Sequence, residues 1–255
     1  MEFNDFHKWI HKELGINLLA YKPEQLNRRI NSLMGRIGVK SLEEYTVLIK
    51  KDDVQRQKFL DFITINVTEF FRNPELYDEL KEILNKELLA KGNQLKIWSA
   101  ACSIGCEPYT LGIILNKLSK NKKHNIMATD IDNTILNRAK IGEFGNTEMK
   151  NVSSNDLVEY FTQKDGKYYI NSNIKSMVTF KKHDLILGSF EKDYDLILCR
   201  NVVIYFNNDI KNQIYKKFSE SLKKGGLLFV GATESIYNYK EYGFEKASTF
   251  IYRKL

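Results

Sequence analysis

The chain is short of cysteine, of long apolar runs and of phosphate-binding glycine motifs, and each shortage removes a class of protein. Cysteine occurs only at 102, 106 and 199 in 255 residues. An odd number does not make a fully paired disulfide framework, and a CxxxC spacing without companion histidines is not a zinc site. Reduced thiols are expected, with Cys102 and Cys199 as small core residues and Cys106 exposed at a turn. No apolar stretch approaches the roughly eighteen residues of a membrane span. Glu2, Asp5, Lys8, Lys12 and Glu13 stud the start of the chain, so no signal peptide is expected. Neither GxGxxG nor GK[ST] is present, which speaks against a phosphate loop. The expectation is a soluble, cytoplasmic protein with no metal.

Charge is also spread thinly. The formal net charge is +7, with +1 on residues 1–70 and +6 on residues 71–255. A generic nucleic-acid footprint is therefore not expected. The local exception is Lys22 to Lys40, where five basic residues face one acid, Glu24. At 100° per residue, Lys22, Arg29, Arg36 and Lys40 fall within about 40° of one another, beside the stripe of Leu26, Ile30, Leu33 and Ile37. These residues read either as solvated charges at the edge of a buried face or as a docking ridge for an acidic or phosphate-bearing partner.

What is there is organised around Leu95 to Tyr109, LKIWSAACSIGCEPY. Leu95, Ile97, Trp98, Ala100 and Ala101 form a buried strand, Ser103 and Gly105 allow a sharp turn, and Pro108 suits the first helical position. A helix start at the carboxyl end of a buried strand is where open α/β sheets bind ligands. The one charge in the turn, Glu107, suits an amino group or positive centre, or else complements the helix dipole.

Around that unit, helices are expected over 2–14, 23–38, 41–50 and 53–65, making a small helical domain of residues 1–70. A linker follows near 64–73, where Thr68 or Asn73 can cap the next helix. Phe70 and Phe71 there can wall an apolar ligand or serve interdomain packing. NIMATD at 125–130 is a second strand whose terminal Asp130 is placed for two ribose hydroxyls. Asp132 suits the N-cap of a helix over 133–140. Asp165-Gly166 marks a hairpin within a small antiparallel insertion over about 150–177. VTFKKHDL ends at Asp184, placed for an adenine amino group, and YDLILCRN carries Arg200 and Asn201 at its end, with Tyr205 one turn later. A helix over about 208–223 is expected to stop at Gly225-Gly226, followed by the strand LLFVGA and a closing hairpin. The order describes an α/β sheet that binds one nucleoside, of the methyltransferase kind.

These segments together resemble the chemotaxis receptor methyltransferases, the CheR family. The resemblance is carried by INVTEFFRNP (65–74), WSAACSIGCEPYTLG (98–112), ATDID (128–132), LCRNVVIYF (198–206) and GGLLFVGATES (225–235), in family order. It implies a Rossmann-like class I methyltransferase sheet over 71–255, a helical receptor-docking domain over 1–70, and a β-subdomain over 150–183 that in some members binds a receptor peptide tail. It implies S-adenosylmethionine as cofactor, S-adenosylhomocysteine as product, and transfer of methyl to glutamate side chains of methyl-accepting chemotaxis receptors. Carried over residue by residue, Asn66, Thr68 and Arg72 match the cofactor-contacting segment, Glu107 and Asp130 its methionine-side and ribose-side acids, and Asp184, Leu185, Arg200 and Asn201 the adenosyl pocket. Tyr205 matches the residue that positions the acceptor, with Arg72 near the reacting end. Arg28, Arg29, Arg36 and Lys40 lie on the helix that resembles the docking helix. A monomer acting on the receptors' cytoplasmic helical domain, with no nucleic-acid partner and no membrane insertion, is the expectation.

A nucleic-acid amino-methyltransferase lacks its Asn/Asp-Pro-Pro-Tyr/Phe tetrapeptide here, since Cys199, Arg200, Asn201 and Val202 occupy the place. A nucleoside-binding adaptor without turnover is opposed by the presence of Arg72, Tyr205 and Asp130.

Overall fold

A computed structural model describes residues 1–64, 67–92, 94–120 and 122–255, apart from the side chains of Thr64 and Lys91. The chain forms two compact units, Met1–Asn66 with Tyr205–Asn212, and Val67–Ile204 with Gln213–Leu255.

Among the described residues the first unit holds the α-helices α1 (Phe3–Leu14), α2 (Pro23–Ile37), α3 (Leu42–Lys51) and α4 (Asp53–Thr64). Each boundary has a local cause. Gly15 and Gly38 take left-handed φ of 72° and 77° to end α1 and α2, and Pro23 opens α2 where no amide is lost. The Ser41 side chain accepts from the Glu44 amide to cap α3. Phe6, Tyr45 and Phe59 form an aromatic centre, with ring centroids 5.7–6.0 Å apart. Residues 205–207 join this unit through a short antiparallel contact: the Lys22 amide donates to the Tyr205 carbonyl, and the Asn207 amide to that of Ala20, both at 2.9 Å.

The second unit opens with α5 (Pro74–Ile83) and then alternates: β1 (Lys96–Ala100), α6 (Cys106–Leu118), β2 (Asn125–Asp130), α7 (Asn133–Ile141). A small sheet interrupts the alternation with β3 (Glu143–Phe144), α8 (Ser154–Tyr160), β4 (Phe161–Lys164), β5 (Lys167–Ile170) and α9 (Ser172–Lys175). The main sheet resumes with β6 (Val178–Lys182) and β7 (Tyr194–Cys199). Then come α10 (Asn208–Ser221), of which Gln213–Ser221 belongs to this unit, β8 (Leu222–Val230), β9 (Phe244–Lys246) and β10 (Ile251–Lys254).

Seven strands run in the order β6-β2-β1-β7-β8-β10-β9, parallel up to β8 and antiparallel at β10 and β9. This is the Rossmann-like α/β sheet expected. The register aligns Ser99 with Ala128 and Leu198, and Cys199 with Val230, so the residues that follow β1, β2, β7 and β8 emerge along one edge. The strand order reverses between β1 and β7, which makes the crevice at that edge the ligand position.

Several expectations need correction. Cys106 is fully buried, because the turn packs its thiol inward, whereas exposure was expected. Pro108 is the third residue of α6, not the first. Phe70 is a core residue, edge-to-face on Phe144 and Phe161 at 4.7 and 5.0 Å, and so is no ligand wall. Gly225 and Gly226 do not stop a helix. They lie inside β8, where the register slips against Tyr194 and Leu196, and Gly225 supplies a φ of 77° for the irregularity. The hairpin turn at Asp165-Gly166 is present with φ of 51° and 73°. The small sheet, however, takes its third strand from Glu143–Phe144, ahead of residue 150, and a helix precedes the hairpin.

Candidate functional site

The carboxyl edge of β1, β2, β7 and β8 is built from turns that side chains hold in place. After β1, Ala101 and Ser103 have φ of 60° and 50°, left-handed values that non-glycine residues adopt at a cost. Asp130, the last residue of β2, supplies the compensation: Oδ2 accepts from the Ser103 amide at 2.9 Å and Oδ1 from the Asp132 amide at 3.1 Å. Its carboxylate, 6% exposed, keeps further acceptor positions beyond those two. Burial raises the Asp130 pKa, and the two amides pull it back. Asp132 caps α7 through the Thr134 amide, as expected.

Glu107 lies in the first turn of α6, half-buried, and its Oε1 accepts from the Ser99 hydroxyl at 2.8 Å. Burial raises its pKa, while the Arg200 guanidinium, the Ser99 hydrogen bond and Arg72 oppose the rise.

Arg200 follows β7 and is 6% exposed. Its guanidinium lies 4.6 Å from the Phe229 ring centroid and 5.0 Å from that of Tyr77. It donates to the Tyr77 hydroxyl (3.2 Å), the Arg72 carbonyl (2.8 Å) and Asn73 Oδ1 (3.2 Å). Asn73 occupies the N-cap position of α5 with left-handed φ 60° and ψ 74°, makes no side-chain cap, and its oxygen accepts from Arg200 instead. The segment before α5 is thus pinned: Arg200 holds Arg72 and Asn73, and Thr110 Oγ1 accepts from the Phe71 amide at 3.1 Å. Within it, Arg72 donates to the Val67 carbonyl, and Thr68 hydrogen-bonds the Cys106 thiol, whose pKa burial pushes well up.

Asp184 stands two residues past β6. Its Oδ1 accepts from the Ile186 and Leu187 amides at 2.7 and 3.1 Å, forming a turn that buries Leu185. Asn201 takes φ 61°, and its amide donates to Glu234. Glu234 was not singled out from the sequence. It follows β8 within GATES, and the available signal was its place just past a strand end.

Among the candidate residues, Thr68, Arg72, Glu107, Asp130, Asp184, Leu185, Arg200 and Asn201 belong to the second unit. Asn66 lies outside the described residues. Tyr205 and the basic residues of α2 belong to the helical unit. There Arg28 and Arg36 are exposed, as is Lys40 just beyond the helix, whereas Arg29 is half-buried, donates to the Phe62 carbonyl and lies over the Phe62 ring. Tyr205 lines a small groove with Tyr21, Lys22, Gln25, Leu26, Arg29 and Ile63.

The family model for the CheR methyltransferase SAM binding domain matches residues 66–251, and that for the CheR methyltransferase all-alpha domain matches residues 1–64. The chain belongs to the CheR methyltransferase family. It is similar to a chemotaxis protein methyltransferase of Listeria monocytogenes, 39% identical over 250 residues that cover 98% of this chain and 95% of that protein. A chemotaxis protein methyltransferase of Borreliella burgdorferi is 32% identical over 263 residues, 98% of this chain and 93% of that one. Chemotaxis protein methyltransferase 1 of Pseudomonas aeruginosa is 34% identical over 260 residues, 94% and 92% of the two chains. This CheR-family chain is therefore an S-adenosylmethionine-dependent methyltransferase of chemotaxis.

The residues present fit that cofactor. The Ser103 hydroxyl oxygen, Asn201 Oδ1 and Arg200 Nε are buried with no hydrogen-bond partner among the described residues, all near the strand edge. Buried polar atoms without partners are rare and call for a ligand or water. Glu107 can receive an amino group, and Asp130 can accept from hydroxyls. Among the described residues no group of three or more His, Cys, Asp or Glu is placed to hold a metal ion, and no helix is long and apolar enough to cross a membrane.

Proposed function

We propose that the chain transfers methyl from S-adenosylmethionine to glutamate side chains in the cytoplasmic helical domain of methyl-accepting chemotaxis receptors, leaving glutamate methyl esters and S-adenosylhomocysteine. The observation that carries the acidic acceptor is the groove at Tyr205. Tyr21, Lys22, Gln25, Arg29 and Tyr205 line it, residue types that carry hydrogen-bond donors suited to a carboxylate.

The chemistry asks little of the protein beyond placement. A glutamate carboxylate, with a pKa of about 4.3, is ionised near neutrality and needs no general base. The cofactor supplies a sulfonium methyl as electrophile. Charge disappears as anion and cation combine, so a site that excludes water favours the step. Tyr205 is the residue proposed to orient the acceptor oxygen, with Arg72 assisting near the reacting end. Glu107 and Asp130 are the proposed holders of the amino group and ribose. Thr68, Asp184, Leu185, Arg200 and Asn201 are the proposed lining of the remaining surface, together with Asn66. Residues 1–70 are the proposed receptor-docking domain, through Arg28, Arg36 and Lys40, and the active form is a cytoplasmic monomer.

The test is peptide mapping of a receptor cytoplasmic fragment after incubation with enzyme and S-adenosylmethionine. Peptides one methylene heavier, with the added mass localised to glutamate side chains by fragmentation, support the proposal. Added mass only on lysine or another nitrogen overturns it.

A further inference from the structure

Beyond β8 the chain turns at once: the Glu234 amide donates to the Gly231 carbonyl at 2.9 Å, closing a turn over Gly231 to Glu234. The turn brings the Glu234 carboxylate back onto backbone. Oε2 accepts from the Gly231 amide at 2.8 Å and from the Asn201 amide at 2.5 Å, and Oε1 accepts from the Val202 amide at 2.9 Å. The Ile204 amide also bonds the carboxylate. The side chain is 4% exposed. One acid thus gathers amides from the ends of two neighbouring strands, β7 and β8.

The packing leaves no slack. A Cβ on Gly231 would stand 2.5 Å from Glu234 Oε2, 2.9 Å from the Asn201 amide nitrogen and 3.1 Å from Asn201 Nδ2. A glycine is required there so that the carboxylate and Asn201 can approach. Asn201 itself is held at φ 61°, a conformation that persists in a non-glycine residue when its surroundings over-determine it. Asn201 Oδ1 is meanwhile buried and without a partner among the described residues. The backbone is fixed, while the side-chain oxygen is left to bind something else.

We infer that Glu234 is a positioning residue for the cofactor: by fixing the Asn201 backbone from behind, it presents the Asn201 side chain to S-adenosylmethionine. The inference rests on the proposed cofactor role of Asn201. Glutamine at 234 has the same shape but turns an N–H toward a backbone N–H, which repels one of the held amides.

A double-mutant cycle on cofactor affinity separates positioning from mere support of the fold. Calorimetric titration with S-adenosylhomocysteine is run on the wild type, Glu234→Gln, Asn201→Ala and the double variant. Positioning through Asn201 predicts that Glu234→Gln weakens binding by about tenfold or more in the wild type and by less than about twofold beside Asn201→Ala. Equal losses on both backgrounds, or no loss on either, overturn the inference and leave Asn201 as a cofactor residue. An Asn201→Ala protein that binds as tightly as wild type removes the role of Asn201 and the inference with it, without touching the identity of the methyl acceptor. If Glu234→Gln shows no cooperative thermal transition, the cycle is run with Glu234→Asp, which keeps the charge and shortens its reach, and the same outcomes decide.

Discussion

The Ser103 amide donates to Oδ2 of Asp130 across 2.9 Å, so the last residue of β2 holds the strained turn that follows β1. The candidate ribose acid is therefore also a structural strut. Asp130→Asn keeps one acceptor and sets an N–H against an amide. It is expected to cost about 1–3 kcal/mol of stability and to weaken S-adenosylhomocysteine binding as well. Urea denaturation and calorimetric titration check the two effects. A variant that binds weakly at full stability would show that the strut role is dispensable.

Glu107 gives a pH dependence. Burial raises its pKa in the folded state, so the native protein holds this proton more tightly than the unfolded chain. The stability contributed is complete below the ordinary glutamate value of about 4.3 and is lost as pH rises through the raised value. Glu107→Gln is expected to remove that decline in the cofactor-free protein. Binding should change in the opposite sense, since the ionised form receives the amino group: affinity falls on acidification through the same window. Denaturation and titration across pH test both signs.

Arg200 cannot be exchanged for lysine without loss. Its guanidinium serves the Tyr77 hydroxyl, the Arg72 carbonyl and Asn73 Oδ1 while lying over two rings, and a lysine ammonium has neither the fork nor the flat face. Arg200→Lys is expected to destabilise by about 2 kcal/mol or more, read from the urea midpoint. A midpoint within experimental scatter of wild type would contradict the account of how Arg72 is held.

On α2 the basic residues separate into two kinds. Arg28 and Arg36 are exposed, Arg36 with its guanidinium 5.9 Å from the Phe62 ring centroid, whereas Arg29 is half-buried and donates to the Phe62 carbonyl. Charge reversal at Arg28 and Arg36 together is expected to raise the KM for a receptor fragment about tenfold at low salt, and less as salt increases. The Kd for S-adenosylhomocysteine should not move. Arg29→Glu should instead lower the melting temperature, because it removes a partner of the Phe62 carbonyl.

Gly231→Ala tests the tight approach at the end of β8. The added methyl meets Glu234 Oε2 and the Asn201 amide, so about 1–3 kcal/mol of destabilisation is expected. Thermal melts supply the number.

Much of this was legible in the sequence where local chemistry decides. The run from Leu95 into Ser103 and Gly105 fixes a strand and a turn, and Asp165-Gly166 takes the two positive φ values its turn demands. Asp132 caps the next helix because its oxygen needs to reach only two residues onward. Legibility fails where a distant partner decides. Asn73 before Pro74 reads as a cap until Arg200, 127 residues away in sequence, claims its oxygen. Phe70 is buried by Phe144 and Phe161, which no local pattern couples to it. Gly225 serves a strand irregularity with the same positive φ that ends a helix. Glu234 sits 33 residues from the Asn201 amide it binds.

The most direct test of the central claim is alkaline treatment of a receptor cytoplasmic fragment after labelled methyl transfer from S-adenosylmethionine by this enzyme. Carboxyl methyl esters hydrolyse in mild base, and N-methyl groups do not. The account predicts that the label leaves the protein as methanol and that the Tyr205→Phe enzyme binds cofactor normally but transfers label more slowly. Label that stays on the receptor through the alkali would contradict it.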